Sequence, residues 1–369
     1  MKLKGEISYD DILAKKGRRY LGYFCSYVPE EIFHAAGYTP VRLLPRPRPL
    51  GAADAHLPVN TCSLARSCLE LAFSKRGAGF SAFAFAHTCD TMQCLADIFR
   101  TRLPDKPVFN LIGPVNREAS GAREFLLQQL EALIGQVNPA AERKITSSRL
   151  LKSIKAYNKL RLQLDQLHKK RRELPAVEFY RLVQAAMLLP KEEALELIKG
   201  SRAHREEAAP HALLAGGEEK PGIYLHGGML YDPSLVSLIE DLGGRVAGDN
   251  LCSGTRYFNL PLVKPLPGEG PLEALADRYL KRLPCAAKHP TLDDTEGHLV
   301  RDVAESKAAG VVFLHDVFCE PHSWDLVILQ NSLQSTGIPH ITIEMDHMGV
   351  TEQIRGRLQA FMERLKGDL

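Results

Sequence analysis

The sequence predicts an α/β protein: two doubly wound parallel sheets with a helical insertion between them. Three observations lead there. Short apolar runs of strand length alternate with amphipathic helical patterns from Tyr20 to Ile112, and again from Ile223 to the last residues. Between these stretches, residues 117–220 carry long helical patterns and nothing that reads as a strand. Cysteines recur where a strand gives way to a helix, the edge at which open α/β sheets bind ligands. The implied divisions are an amino-terminal α/β unit over 1–116, a helical insertion over 117–220 and a second α/β unit over 221–369.

After a polar lead, Tyr20–Phe24 reads as the first strand. Pro29, near a first helical position with Glu30 and Glu31 in the first turn, opens a short helix that runs to Ala36. Pro40–Leu44 is a second strand, and the Pro- and Ala-rich segment 45–60 is a loop. A helix follows over Cys62–Ser74, with Thr61 as its N-cap. Phe80–Ala86 is an aromatic-rich strand. Thr88, Cys89 and Asp90 come directly after it, and Met92, Leu95, Ala96 and Phe99 then recur at helical spacing. Pro107–Ile112 completes the first set of strands.

The insertion holds helical patterns at Ala122–Ile134, Arg149–Leu167, Ala176–Leu188 and Lys191–Glu206, and ends in the linker GGEEKPG at 216–222. The second unit then reads as strand Ile223–Leu225, helix 232–241, strand 244–248 and a loop over 249–270. Helices 271–282 and 297–309, strand 311–315, helix 322–336, strand 340–345 and helix 351–365 complete it.

Composition narrows the function. A net charge of +3 gives no general affinity for nucleic acid, and the KKRR run at 169–172 reads as a solvated helix face. No apolar run reaches the roughly 20 residues needed to span a bilayer, and the opening MKLKGEISYDD lacks the apolar core of a signal peptide. The expected location is the cytoplasm. There, eight cysteines are thiols, metal ligands or catalysts rather than a disulfide frame.

Five of the eight sit on the ligand-binding edge. Cys89 lies between a strand and a helix, where unpaired amides and the helix dipole favour an anion such as a thiolate. On that stretch alone, a reduced, half-buried thiol beside an Asp N-cap reads equally well. Cys319 repeats the arrangement after the run Val311–His315, Cys62 opens a helix, Cys25 follows the first strand, and Cys252 follows the strand near Gly248. Together they suggest a soft-metal site in the cleft between the units. Cys62 and Cys68 are six residues apart and Cys89 and Cys94 five, so at about 100° per residue the members of each pair point apart. Cys68 and Cys94 therefore read as packed thiols, and Cys285 as a structural cysteine in a loop. The absence of any CxxC pair argues against a zinc ribbon or a thioredoxin-like site.

The chain resembles the 2-hydroxyacyl-CoA dehydratase and benzoyl-CoA reductase subunits, with their double-cubane relatives. The matching stretches are GYFCSYVPEEIFHAAGYTPVRLLP at 22–45, NTCSLARSCLELA at 60–72, HTCDTMQCLADIF at 87–99 and GDNLCSGTRYF at 248–258. PCAAKHP at 284–290, VFLHDVFCEPHSWD at 312–325 and TEQIRGRLQAF at 351–361 complete the set. The chain departs from many relatives at Ala286 and Ala287, where they carry a further cysteine. The resemblance implies two Rossmann-like domains and a 4Fe–4S cluster held by Cys62, Cys89 and Cys319, with one iron left open. It also implies a low-potential electron from an ATP-hydrolysing iron–sulfur activator protein, passed to an acyl-CoA thioester that becomes a ketyl radical. Partners would be a larger homologous subunit or a second copy of the chain. A double-cubane 8Fe–9S cluster is the alternative, with Cys25, Cys94, Cys252 or Cys285 as further ligands. A third reading is a non-catalytic electron-relay subunit.

Such chemistry needs a base for the β-proton. Glu31 matches the family's P-x-E position, with Glu30 beside it; a carboxylate complementing the helix dipole is the structural reading. His87 and His315 end strands beside expected ligands, as core histidines or as donors to thiolate or substrate. Arg256 and Tyr257 are expected near the thioester or a CoA phosphate, and the Gly turn HGG at 226–228 near a phosphate.

Overall fold

Two separate four-stranded sheets, both parallel throughout, are present in the computed structural model, which describes residues 7–47, 49–171, 174–201, 220–259, 262–288 and 292–367. The first contains β1 (Arg19–Tyr23), β2 (Tyr38–Arg42), β3 (Phe80–Ala86) and β4 (Val108–Leu111); the second contains β5 (Gly222–Gly227), β6 (Arg245–Leu251), β7 (Gly310–Asp316) and β8 (His340–Met345). Their orders are β2-β1-β3-β4 and β6-β5-β7-β8. In each, the chain leaves the first strand to one side and returns to the other. A crevice therefore opens beyond the carboxyl ends of β1 and β3, and another beyond β5 and β7.

The sequence of β3 shows why it is central. Phe83 and Phe85 face one side, where Phe85 stacks on Phe24 with ring centroids 4.2 Å apart and meets Phe99 edge-on at 5.2 Å. Ala82, Ala84 and Ala86 face the other core. Gly22 on β1 lies under the Phe83 ring, where a Cβ would sit 2.7 Å from it.

The helices are α1 (Tyr9–Leu13), α2 (Glu30–Ala35), α3 (Ser63–Phe73), α4 (Asp90–Arg102), α5 (Ala122–Val137), α6 (Ser147–Lys169), α7 (Ala176–Leu188) and α8 (Lys191–Lys199), followed by α9 (Ser234–Asp241), α10 (Thr255–Phe258), α11 (Pro271–Leu280), α12 (Leu292–Ser306), α13 (Glu320–Ser335) and α14 (Glu352–Lys366). Two of them fall where the sequence reads as irregular. α1 interrupts the polar lead, and α10 turns once inside the expected 249–270 loop. The helical pattern at 191–206 is seen as α8, and its last part, with most of the 216–222 linker, lies outside the described residues.

The middle helices pack on both units. α5 lies on β4 and α11, α6 on α2 and α11, and α7 on β2 and α9. Buried ion pairs fasten these contacts. Glu31 on α2 accepts from Arg161 on α6 at 2.5 Å and lies 3.5 Å from Arg278 on α11. Glu30 accepts from Lys191 on α8 at 2.8 Å. Arg171 and Tyr180 both meet Asp249 on β6 at 3.0 Å, so the KKRR run is not simply a solvated face: Arg171 is buried. Arg42, at the end of β2, donates to the carbonyl of Cys252 at 2.6 Å and ties the two units directly. Among the described residues, no helix is long and apolar enough to cross a membrane.

Candidate functional site

Three cysteines stand at the N-caps of three helices: Cys62 before α3, Cys89 before α4 and Cys319 before α13. Cys89 and Cys319 each end a strand-to-helix turn, at β3 and β7, beside the crevices where the strand order reverses. Thr61 does not cap α3; Cys62 takes the place one residue later. Helix N-termini concentrate unpaired amides and the positive end of the dipole, and amides of the first turns of α4 and α13 act on the Cys89 and Cys319 sulfurs to favour negative charge there.

The sulfurs meet across the two units. The Cys62 and Cys319 thiols face each other closely enough to perturb one another, and the two segments are held together where Ser63 N donates to Val317 O at 3.2 Å. Val317 in turn donates to Met345 O at 2.9 Å, and Cys319 N donates to Asp316 O at 2.9 Å. Between them, Phe318 adopts a left-handed backbone at φ 63°. A bulky residue in that region stores about 1–3 kcal/mol of strain, which here turns Cys319 toward Cys62.

Cys319 and Cys89 do not ionise readily on their own. Contact with Cys62, together with burial, pushes the Cys319 thiol far up. Burial pushes Cys89 up to about 11, with further repulsion from Cys62 and Cys25, while the amides of Met92 and Thr91 pull the other way. Cys319 and Cys89, thiols that resist ionisation where they stand, are donors that a cation would stabilise as thiolates. Among the described residues, no three His, Cys, Asp or Glu side chains close around a single ion. An all-sulfur donor set drawn from both units matches the soft-ligand chemistry of an iron–sulfur cluster.

Cys25, Cys252 and Cys285 form a second group, within range of one another. Arg256 joins them: its guanidinium lies 3.4 Å from Cys252 Sγ and bonds Cys285 as well. Cys68 is fully buried, its thiol on Leu43 O at 3.5 Å. Cys94 is exposed rather than packed, turned to the solvent side of α4.

Several expected roles need correction. Glu31 is 0% exposed, and Arg161 holds its carboxyl below the usual range against the cost of burial, with Arg278 adding to the effect. These ion pairs give the Glu31 carboxylate a part in packing α2 against α6 and α11, while its Oε2 is buried without a partner among the described residues. Arg256 is likewise committed to its own chain, donating to Asn250 Oδ1 at 2.6 Å, Asn250 O at 2.6 Å and Gly227 O at 2.5 Å. It has no open face for a CoA phosphate. Tyr257 is buried against Ala186 O at 3.1 Å. The 226–228 turn does not cradle a phosphate: Gly228 N is bonded to Leu314 O at 3.1 Å, and Asp316 occupies the space where a Gly228 side chain would go.

His87 lies half-buried two residues before Cys89, its backbone held by Leu111 O at 2.9 Å. His315 Nε2 pairs with Ser323 Oγ at 2.9 Å. Sequence reasoning missed His322, whose Nδ1 is 3.5 Å from Cys319 Sγ; the Cys-x-x-His spacing in the first turn of α13 was the available signal.

The family model described as "2-hydroxyglutaryl-CoA dehydratase, D-component" matches residues 25–365. Lactoyl-CoA dehydratase subunit beta of Anaerotignum propionicum is 27% identical over 363 residues, covering 96% of this chain and 94% of that protein. The (R)-phenyllactyl-CoA dehydratase beta subunit of Clostridium sporogenes is 24% identical, covering 96% and 93%. A benzoyl-CoA reductase subunit of Thauera aromatica is 25% identical, covering 96% and 92%.

Proposed function

Because the chain belongs to the 2-hydroxyglutaryl-CoA dehydratase D-component family, we propose that it is the iron–sulfur subunit of a 2-hydroxyacyl-CoA dehydratase or a benzoyl-CoA-type reductase. The observation that carries this reading is the meeting of Cys62 and Cys319 from opposite units, with Cys89 in range of Cys62, each at a helix N-terminus.

These three sulfurs would hold a 4Fe–4S cluster. When bound, it would supply a low-potential electron and a Lewis-acidic iron open to an oxygen ligand. The chain's own part is to make thiolates tolerable in a buried crevice. The dipoles of α3, α4 and α13 and the amides following Cys89 and Cys319 offset charge that burial opposes. His87, whose imidazole makes no hydrogen bond among the described residues, is the group we assign to proton movement near Cys89. The substrate would be an acyl-CoA thioester. The partners would be a larger homologous subunit and an ATP-hydrolysing iron–sulfur activator protein, in the cytoplasm.

The Cys25, Cys252 and Cys285 group favours a second reading, a homodimeric reductase in which further thiolates carry a double-cubane cluster. Iron and acid-labile sulfide per chain separate the two, at about four of each for a cubane and about twice that for the fused form. Turnover of a 2-hydroxyacyl-CoA by a mixture containing activator, ATP and a larger partner tests the catalytic assignment. Turnover that is unchanged when this chain is left out would remove it.

A further inference from the structure

We propose that His322 donates its Nδ1–H to the Cys319 sulfur and so sets how readily a cluster held by that sulfur takes up an electron; this rests on the cluster reading above. Three features support it. His322 Nδ1 is 3.5 Å from Cys319 Sγ, within range of an N–H···S hydrogen bond. The half-buried ring packs against the 227–228 turn, its Cε1 3.4 Å from where a Gly228 side chain would begin. Its other nitrogen, Nε2, is buried without a partner among the described residues, so nothing there competes for the ring's orientation.

The proton's position follows from the chemistry of sulfur. A neutral ring carries one N–H. Opposite a thiol, either partner can be the donor; opposite a thiolate, which has no proton, the contact is favourable only when Nδ1 carries the hydrogen. A donor to a ligating sulfur withdraws electron density from it. That stabilises the more negative, reduced state and raises the potential.

The test uses the full chain reconstituted anaerobically, as wild type, His322→Phe and His322→Asn, each titrated potentiometrically with EPR detection. Wild-type protein carrying histidine labelled with ¹⁵N in the imidazole ring alone, examined in the reduced state by pulsed EPR, provides a reading that needs no variant. The proposal expects a ¹⁵N coupling in the labelled protein. It also expects a midpoint potential that is more negative in His322→Phe and partly restored in His322→Asn, at unchanged iron content. A loaded wild type without the ¹⁵N coupling, or a His322→Phe potential equal to wild type, overturns the role of His322 and leaves the cluster reading standing. A wild type that takes up no iron overturns both. Should His322→Phe fail to load, the ¹⁵N coupling decides.

Discussion

The Cys62 and Cys319 thiols interact directly, although 257 positions of chain separate them and each belongs to a different sheet unit. Mild oxidation of iron-free protein with a diazene oxidant should convert this pair into a disulfide, two thiols giving two electrons and two protons to the oxidant. Peptide mapping should find the Cys62–Cys319 cross-link in iron-free protein and lose it in reconstituted protein. A cross-link equally abundant in both would show that the sulfurs do not hold the cluster.

Serine substitutions should sort the cysteines by position. Cys62→Ser, Cys89→Ser and Cys319→Ser should each lose most bound iron. Cys94→Ser, on the solvent side of α4, and Cys68→Ser, whose thiol rests on a backbone carbonyl, should retain it. Iron analysis after reconstitution checks this; equal loss in Cys68→Ser would contradict the assignment.

Glu31 should act on stability rather than on chemistry. Removing Arg161 leaves a buried carboxylate short of its nearest cation, which costs about 3–5 kcal/mol, read as a drop in the urea midpoint of Arg161→Ala at pH 7. Glu31 has a lower folded than unfolded pKa, as has Asp249, which Arg171 holds down. Their ion pairs therefore stabilise fully above the ordinary values of 4.5 and 3.8, and the contribution is lost as pH falls through the still lower folded values. The gap between wild type and Arg161→Ala should narrow below pH 4.5. A gap constant down to pH 3 would contradict this, a test value chosen from the ordinary carboxylate range of about 4.

Gly227 should resist substitution. Its φ of 141° is open to glycine and strained for other residues, and an added Cβ would run into the Leu314 backbone. Gly227→Ala should cost about 2 kcal/mol or more, measured as a lowered urea midpoint; an unchanged midpoint would show that the turn relaxes.

Much of this was legible from local pattern. Phe80–Ala86, Ala176–Leu188 and 340–345 are seen where periodicity places them, and strand-to-helix switches put Cys89 and Cys319 at helix starts. What escaped depends on distance in the chain. β6 runs on past Gly248 to Leu251 through Asp249 and Asn250, polar residues that read as loop until Arg171, Thr255 and Arg256 supply their partners. Glu31 resembled a solvated first-turn carboxylate because Arg161 lies 130 residues away. Cys285 read as a loop thiol since nothing local announces that Arg256 brings it to Cys252.

The most direct test is iron and sulfide analysis, with EPR, of anaerobically purified wild type beside Cys319→Ser. The expected result is a brown protein with about four irons and four sulfides per chain, an EPR signal on reduction, and loss of both in the variant. A colourless wild type that stays iron-free after reconstitution would contradict it.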